Sequence, residues 1–202
     1  PKKIPSWVVR GFGVMIDDIA AAVATLLVIA IASRIGWAMT SPCTQDLVSQ
    51  LASTLLKKQW YLSTAESCTG GLVAAAITEL AGSSEWFERG YVTYSNSAKS
   101  EDINVSQELI AQHGAVSDQV ARAMAIGAKQ SSNSDIALSI TGIAGPTGGS
   151  VEKPVGTVCF AWILDNNAIY SETKLFSGNR RDIRAQACEF SLKRLLELLL
   201  IQ

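Results

Sequence analysis

The sequence is poor in the side chains that most often carry hydrolytic or metal chemistry. Its 202 residues hold one histidine, His113, and four cysteines, Cys43, Cys68, Cys159 and Cys188. With a single imidazole and no C-x-x-C pair, a zinc site or a Ser-His-Asp triad is poorly supplied, so no metal and no cofactor is expected. The cysteines read as free thiols of a reducing compartment, with a cytoplasmic setting expected. Long runs of like charge are missing, and the formal net charge is −1. That balance argues against nucleic acid as a partner and against a strong electrostatic hold on an acidic membrane. There is no Walker loop, dinucleotide fingerprint or G-x-S-x-G elbow. Ser150 and Lys153 fit S-x-x-K, but no K-T-G accompanies them and they lie in a loop, so the match is read as chance. His113, placed before Gly114 at a helix end, reads as a C-terminal capping residue rather than a catalyst.

What is present begins with 48% hydrophobic residues, enough for one domain with a real core plus an appendage. The chain opens on Pro1, so the true start of the reading frame is expected to be missing. Ile19 to Ser33 is a run of 15 residues without a charge. At ~1.5 Å per residue it reaches roughly 22 Å, short of a ~30 Å hydrocarbon layer. Extension to Trp37 spans the layer if Arg34 snorkels. Asp17 and Asp18 do not suit a signal peptide. Residues 1–38 are therefore expected to form an apolar helix, either membrane-spanning or half-buried, with membrane contact open over residues 8–38.

From Thr44 onward helix and strand signals alternate. "TQDLVSQLASTLLKKQ" puts Leu47, Val48, Leu51 and Leu55 on one stripe. "WYLSTAES" reads as a strand, "CTGGLVAAAITELAG" as a helix stopping at Gly82, and "GYVTYS" as a strand. "SQELIAQHG" and "SDQVARAMAIGAKQ" read as helices, and "DIALSITG" as a strand running into a Gly/Pro loop. "TVCFAWIL" and "AIYSETKLF" read as a hairpin, and "RRDIRAQACEFSLKRLLELLL" as a final helix. The pattern implies an α/β sheet covered by helices on both faces.

Three stretches offer chemistry. In "ESCTGG", a helix beginning near Thr69 aims free N–H groups at the turn, which suits an anion or a developing oxyanion. Gly70 and Gly71 open the backbone there, and Ser67 and Cys68 are adjacent nucleophiles, of which the thiol ionises more readily. The same turn also reads as plain packing with Ser67 as helix cap. "YVTYSNSAKS" supplies Tyr94 and Lys99. A buried lysine serves as a base when desolvation lowers its pKa, and an exposed one does nothing. "TGIAGPTGGSVEKPVG" is a Gly-rich loop after a strand, either a phosphate cradle or merely flexible.

Taken together, "TAESCTGGLVAAAIT", "GSSEWFERGYVTYSNSAK", "HGAVS", "TGIAGPTGGSVEKPVGTV" and "FSGNRRDIRAQA" resemble, in order, the CinA C-terminal domain family of nicotinamide-mononucleotide amidohydrolases. The resemblance runs from about Thr44 to Leu199, so residues 44–202 are taken as that domain. It implies a three-layer α/β/α sandwich with a central mixed sheet. It also implies deamidation of nicotinamide mononucleotide to nicotinate mononucleotide and ammonia, in pyridine-nucleotide salvage. By resemblance Ser67 is the nucleophile, displacing Cys68, and Lys99 is its base; Tyr94, from the same stretch as Lys99, is a candidate relay. Thr69, Gly70, Gly71, Thr141, Gly142, Gly145 and Arg180 are expected to bind substrate. Asn179 stands where family members often have Asp, which bears on how Arg180 and Arg181 are held. A homodimer is open, since the family tends to pair. A non-catalytic nucleotide-binding module and a serine amidase for another small amide remain alternatives. Residues 1–38 are similar to the last membrane segment of phosphatidylglycerophosphatase A, with Asp17 and Asp18 in that family's aspartate stretch. Only the tail is present, so no lipid-phosphatase activity is expected. Met39 would be a natural start for a stand-alone amidase.

Overall fold

The computed structural model describes residues 23–25 and 42–201. The apolar segment read over residues 1–38 lies outside the described residues, save 23–25, which are helical. Among the described residues no helix is long and apolar enough to cross a membrane.

Helix α1, Pro42–Lys58, buries Val48, Leu51, Ala52 and Leu55, which recur at the three- and four-residue spacing of one helical face. Strand β1, Leu62–Glu66, is buried throughout. Helix α2, Leu72–Thr78, and a short 3₁₀ turn, Ser83–Glu85, lead into β2, Phe87–Val92. Three helices follow: α3, Asn96–Ile103; α4, Gln107–His113; and α5, Asp118–Ser132. Strands β3, Ile136–Gly142, β4, Thr157–Ile163, and β5, Ile169–Leu175, precede the closing helix α6, Arg180–Leu200.

The five strands form one sheet in the order β2-β1-β3-β4-β5. β2, β1 and β3 are parallel, and β4 and β5 join antiparallel. The sheet is therefore mixed: the first three strands are joined by helical crossovers and the last two by a tight hairpin. Glu66 lies opposite both Val92 and Ile140, so the carboxyl ends of β1 and β2 are level and β3 runs two residues further, to Gly142.

One face of the sheet carries Leu62, Leu138, Phe160 and Trp162 against α1, α2 and α6. On this side the Trp162 indole donates to Ser191 O at 3.0 Å. The other face carries the small residues Ala65, Ala137 and Ala161, which admit α5 and α3 closely. Ser139 donates to Ala121 O at 2.6 Å across this layer. Gly127 of α5 approaches the Ile103 carbonyl so nearly that a Cβ would stand 1.8 Å from its oxygen. Helices thus cover both faces, as a three-layer α/β/α sandwich.

Three elements differ from the sequence reading: β2 runs over Phe87–Val92 rather than 90–95, and two helices differ as well. The second helix starts at Leu72, not near Thr69, because Gly70 and Gly71 take left-handed φ values of 58° and 92°. It also ends at Thr78, short of Gly82. Helix α3 carried no apolar periodicity to reveal it. Only Lys99 and Ile103 are buried in it, and its start is fixed by Ser95 Oγ, which accepts from the Ala98 N–H.

Candidate active site

A cleft of about 210 Å³ opens at the carboxyl ends of β1, β2 and β3. This is where parallel α/β sheets present loops to a ligand. Ser67 enters it directly after β1, and its N–H donates to Ile140 O at 2.9 Å, tying it to β3. Lys99 enters from α3. Its side chain is 1% exposed, and Nζ lies 3.2 Å from Ser67 Oγ, 2.9 Å from Thr93 O and 3.5 Å from Ser95 O. These partners include no carboxylate. Burial pushes the Lys99 ammonium below the ordinary lysine value, with a Cys68 charge pulling the other way. Cys68 does not supply that charge near neutral pH, because burial pushes its thiol up to about 12. In the neutral amine the two N–H bonds match the two carbonyls, and the lone pair is left for the Ser67 hydroxyl.

Tyr94 lines the same cleft but is 60% exposed. Its hydroxyl accepts from Arg180 Nη2 at 3.0 Å, so the structure brings it to Arg180 and not to Lys99. Arg180 also donates through Nη1 to Gly145 O at 2.8 Å, joining the loop after β2 to the loop after β3. Asn179 caps α6 by accepting from the Arg181 and Asp182 N–H groups, and the Asp182 carboxylate accepts from the Asn179 N–H. Asn therefore fills the capping position as well as Asp, and Arg180 is held as the first residue of the helix. Thr141 donates its hydroxyl to Ala115 O at 2.8 Å, which ties one cleft wall to the next. A Cβ on Gly142 would fall 2.8 Å from Val158 Cγ2, so close strand packing requires glycine there. In the Gly-rich loop, Lys153 reaches His113 O at 3.1 Å and Val116 O at 2.7 Å. Ser150 Oγ accepts from the Lys153 N–H, which makes the S-x-x-K match an exposed turn.

The turn after β1 departs from expectation in one respect that matters. Its helix amides are not free for a ligand, because the fully buried Glu66 carboxylate takes them. Oε2 accepts from Gly71 at 3.0 Å and Val73 at 3.1 Å, and Oε1 accepts from Ala74 at 2.8 Å. Gly70 donates to Ser67 O at 3.1 Å. Thr69 is wholly buried, and its hydroxyl has no partner among the described residues. The amides of Cys68 and Thr69, which follow the nucleophile, both lie beside the Cys68 thiol, and Cys68 lines the cleft.

Two residues that hold this turn escaped the sequence reading. Glu66 sits in period two with Leu62 and Thr64, which places it on the α2 side of the sheet; that alternation was the available signal. Arg184 donates Nε to Cys68 O at 3.0 Å and Nη2 to Thr69 O at 2.6 Å. Its separation of 116 residues from Cys68 hid the contact, although it lies four residues after Arg180 on the same helical face.

These features define an α/β/α domain with a serine and a buried lysine converging in a cleft at the ends of its parallel strands. The chain belongs to the CinA C-terminal domain family, which matches residues 44–199. Nicotinamide-nucleotide amidohydrolase PncC of Escherichia coli (strain K12) is 50% identical over 157 residues, 78% of this chain and 95% of that protein. The protein of the same name from Pseudomonas putida is 46% identical over 152 residues, 75% of this chain and 94% of its own. Among solved structures, the competence/damage-inducible protein CihA from Agrobacterium tumefaciens is similar with a TM-score of 0.76 and 40% identity. That match covers 79% of this chain and 97% of the other. A CinA superfamily protein from Enterobacter cloacae gives 0.74 and 36%, covering 77% and 92%.

Proposed function

We propose that the protein hydrolyses the carboxamide of nicotinamide mononucleotide to nicotinate mononucleotide and ammonia, within pyridine-nucleotide salvage. The observation that carries this reading is the buried Lys99 amine 3.2 Å from Ser67 Oγ. Kinship with proteins named for nicotinamide-nucleotide amidohydrolysis supports the choice of substrate.

In this mechanism neutral Lys99 accepts the Ser67 proton while Oγ attacks the carboxamide carbon. The carbonyl π electrons move to oxygen, and the Cys68 N–H stabilises the resulting oxyanion. Lys99 returns its proton to the leaving nitrogen, the C–N bond breaks, and ammonia departs. Water, deprotonated by Lys99, attacks the ester carbonyl and releases Ser67 with the carboxylic acid product. No step requires a metal. Arg180, a cation at the cleft mouth, faces the substrate phosphate, and Tyr94 reaches the reaction through Arg180.

The test is ammonia release from nicotinamide mononucleotide. Ser67→Ala is expected to abolish it, and full turnover in that variant would sink the assignment. A panel of small amides run in competition separates this substrate from others.

A further inference from the structure

One face of α6 holds the nucleophile's surroundings at successive turns of the helix. Arg180 grips Gly145 O and the Tyr94 hydroxyl, Arg184 grips Cys68 O and Thr69 O, and the Cys188 thiol meets Leu72 O at 3.7 Å. Residues at this four-residue spacing share one face, so a single rigid element sets three points along the site.

The middle contact bears on the turn that follows Ser67. Each peptide is planar, so a carbonyl held on one side fixes the N–H on the other. Arg184 holds two consecutive carbonyls with two donors in a fixed fork. Without it, Cys68 O would be left without its partner and Thr69 O with only the longer 3.4 Å bond from the Leu72 N–H, beside Gly70 and Gly71, residues whose left-handed backbone leaves the chain free to rotate there. Glu66 fixes the turn from the helix side, Gly70 fixes Ser67 O, and the Leu72 N–H reaches Thr69 O at 3.4 Å; the Cys68 carbonyl and the short bond to Thr69 O rely on Arg184. Arg184 is not among the residues that line the cleft, so it acts from behind the turn.

We propose that Arg184 is a positioning residue for Ser67: by locking the Cys68 and Thr69 carbonyls it holds Oγ on the Lys99 amine. The inference rests on Ser67 as the nucleophile.

The experiment uses the full chain with Arg184→Gln, Arg184→Lys and Ser67→Ala, following ammonia release from nicotinamide mononucleotide across pH. Arg184→Gln is expected to lower kcat about 10- to 100-fold with KM within about three-fold, the signature of misplacement rather than lost binding. The acid limb of kcat/KM is expected to stay in place, because Lys99 remains buried. Arg184→Lys is expected to recover part of kcat, since an ammonium keeps one carbonyl contact. Unchanged kcat in Arg184→Gln overturns the inference. So does an acid limb that moves toward the ordinary lysine value, which reports a collapsed site. If Arg184→Gln does not fold, Arg184→Lys decides alone: wild-type kcat overturns the inference, and lowered kcat at an unmoved limb supports it. Inactive Ser67→Ala beside unimpaired Arg184→Gln removes this inference only, whereas active Ser67→Ala removes the nucleophile and this inference with it.

Discussion

Replacing Glu66 by Gln changes one atom of the side chain and tests how the nucleophile's turn is held. The carboxylate is fully buried and accepts three backbone N–H groups, two on Oε2 and one on Oε1. A glutamine carbonyl placed at the Oε2 position keeps the Gly71 and Val73 bonds in weaker, neutral form. Its NH₂ group then faces the Ala74 N–H, donor against donor. A lost charge-assisted bond is worth about 1.5–3 kcal/mol, and an unsatisfied buried amide costs about 1–3 kcal/mol more. Glutamine also recovers the desolvation cost of the anion, which opposes these losses. The net expectation is a loss of about 2–4 kcal/mol, a large part of the 5–15 kcal/mol typical of a domain. Urea unfolding followed by fluorescence should show a midpoint lower by roughly 1–2 M at unchanged slope. Glu66→Ala should be worse, because it leaves three buried amides without partners. A midpoint within about 0.3 M of the parent in Glu66→Gln would refute the view that the carboxylate anchors α2.

Four further outcomes follow from the structure. Lys99 has its folded pKa lowered by burial, so kcat/KM should reach its plateau below the ordinary lysine value near 10.4, and Lys99→Arg should abolish that limb. The unfolded chain then binds the Lys99 proton more readily, so stability should climb with pH from the lowered value to about 10.4; in Lys99→Met that climb should vanish from a pH series of unfolding curves. Cys68→Ala should leave turnover within about five-fold, and the wild-type thiol, pushed up to about 12 by burial, should alkylate slowly at pH 8 as read by mass spectrometry. Gly127→Ala should destabilise by about 3 kcal/mol or more in thermal unfolding, since its Cβ would lie 1.8 Å from Ile103 O.

Much of this was legible in the residues because local chemistry set it. The stripe through Val48, Leu51 and Leu55 gave α1, and apolar runs between turn signals gave the buried strands. Ser67 and Lys99 stood out as chemistry-bearing side chains after successive strands, and family resemblance paired them. What stayed hidden depended on distance in the chain or on backbone sign. The left-handed Gly70 and Gly71 delay α2 by about one turn, and nothing in a glycine pair says which hand it takes. Helix α3 is polar because it buries an amine rather than an apolar stripe. Glu66 looked like the polar end of a strand until the following helix was seen to return its own amides to it. Tyr94, a candidate relay by its nearness to Lys99 in the chain, instead has its hydroxyl on a guanidinium that lies 86 residues away.

The level ends of β1 and β2 carry a consequence for how such a site tolerates change. Ser67 follows β1 directly and Lys99 sits in α3, the helix that follows β2, and these two parallel strands are held ~4.8 Å apart by backbone hydrogen bonding. Lys99 is further held by Thr93 O and Ser95 O of its own segment, so the base travels with β2 as one piece. The stretch between α2 and β2, from Leu80 to Glu85, contributes no residue to the cleft. A change of length or sequence in that outer stretch is expected to leave the spacing between proton donor and acceptor in place.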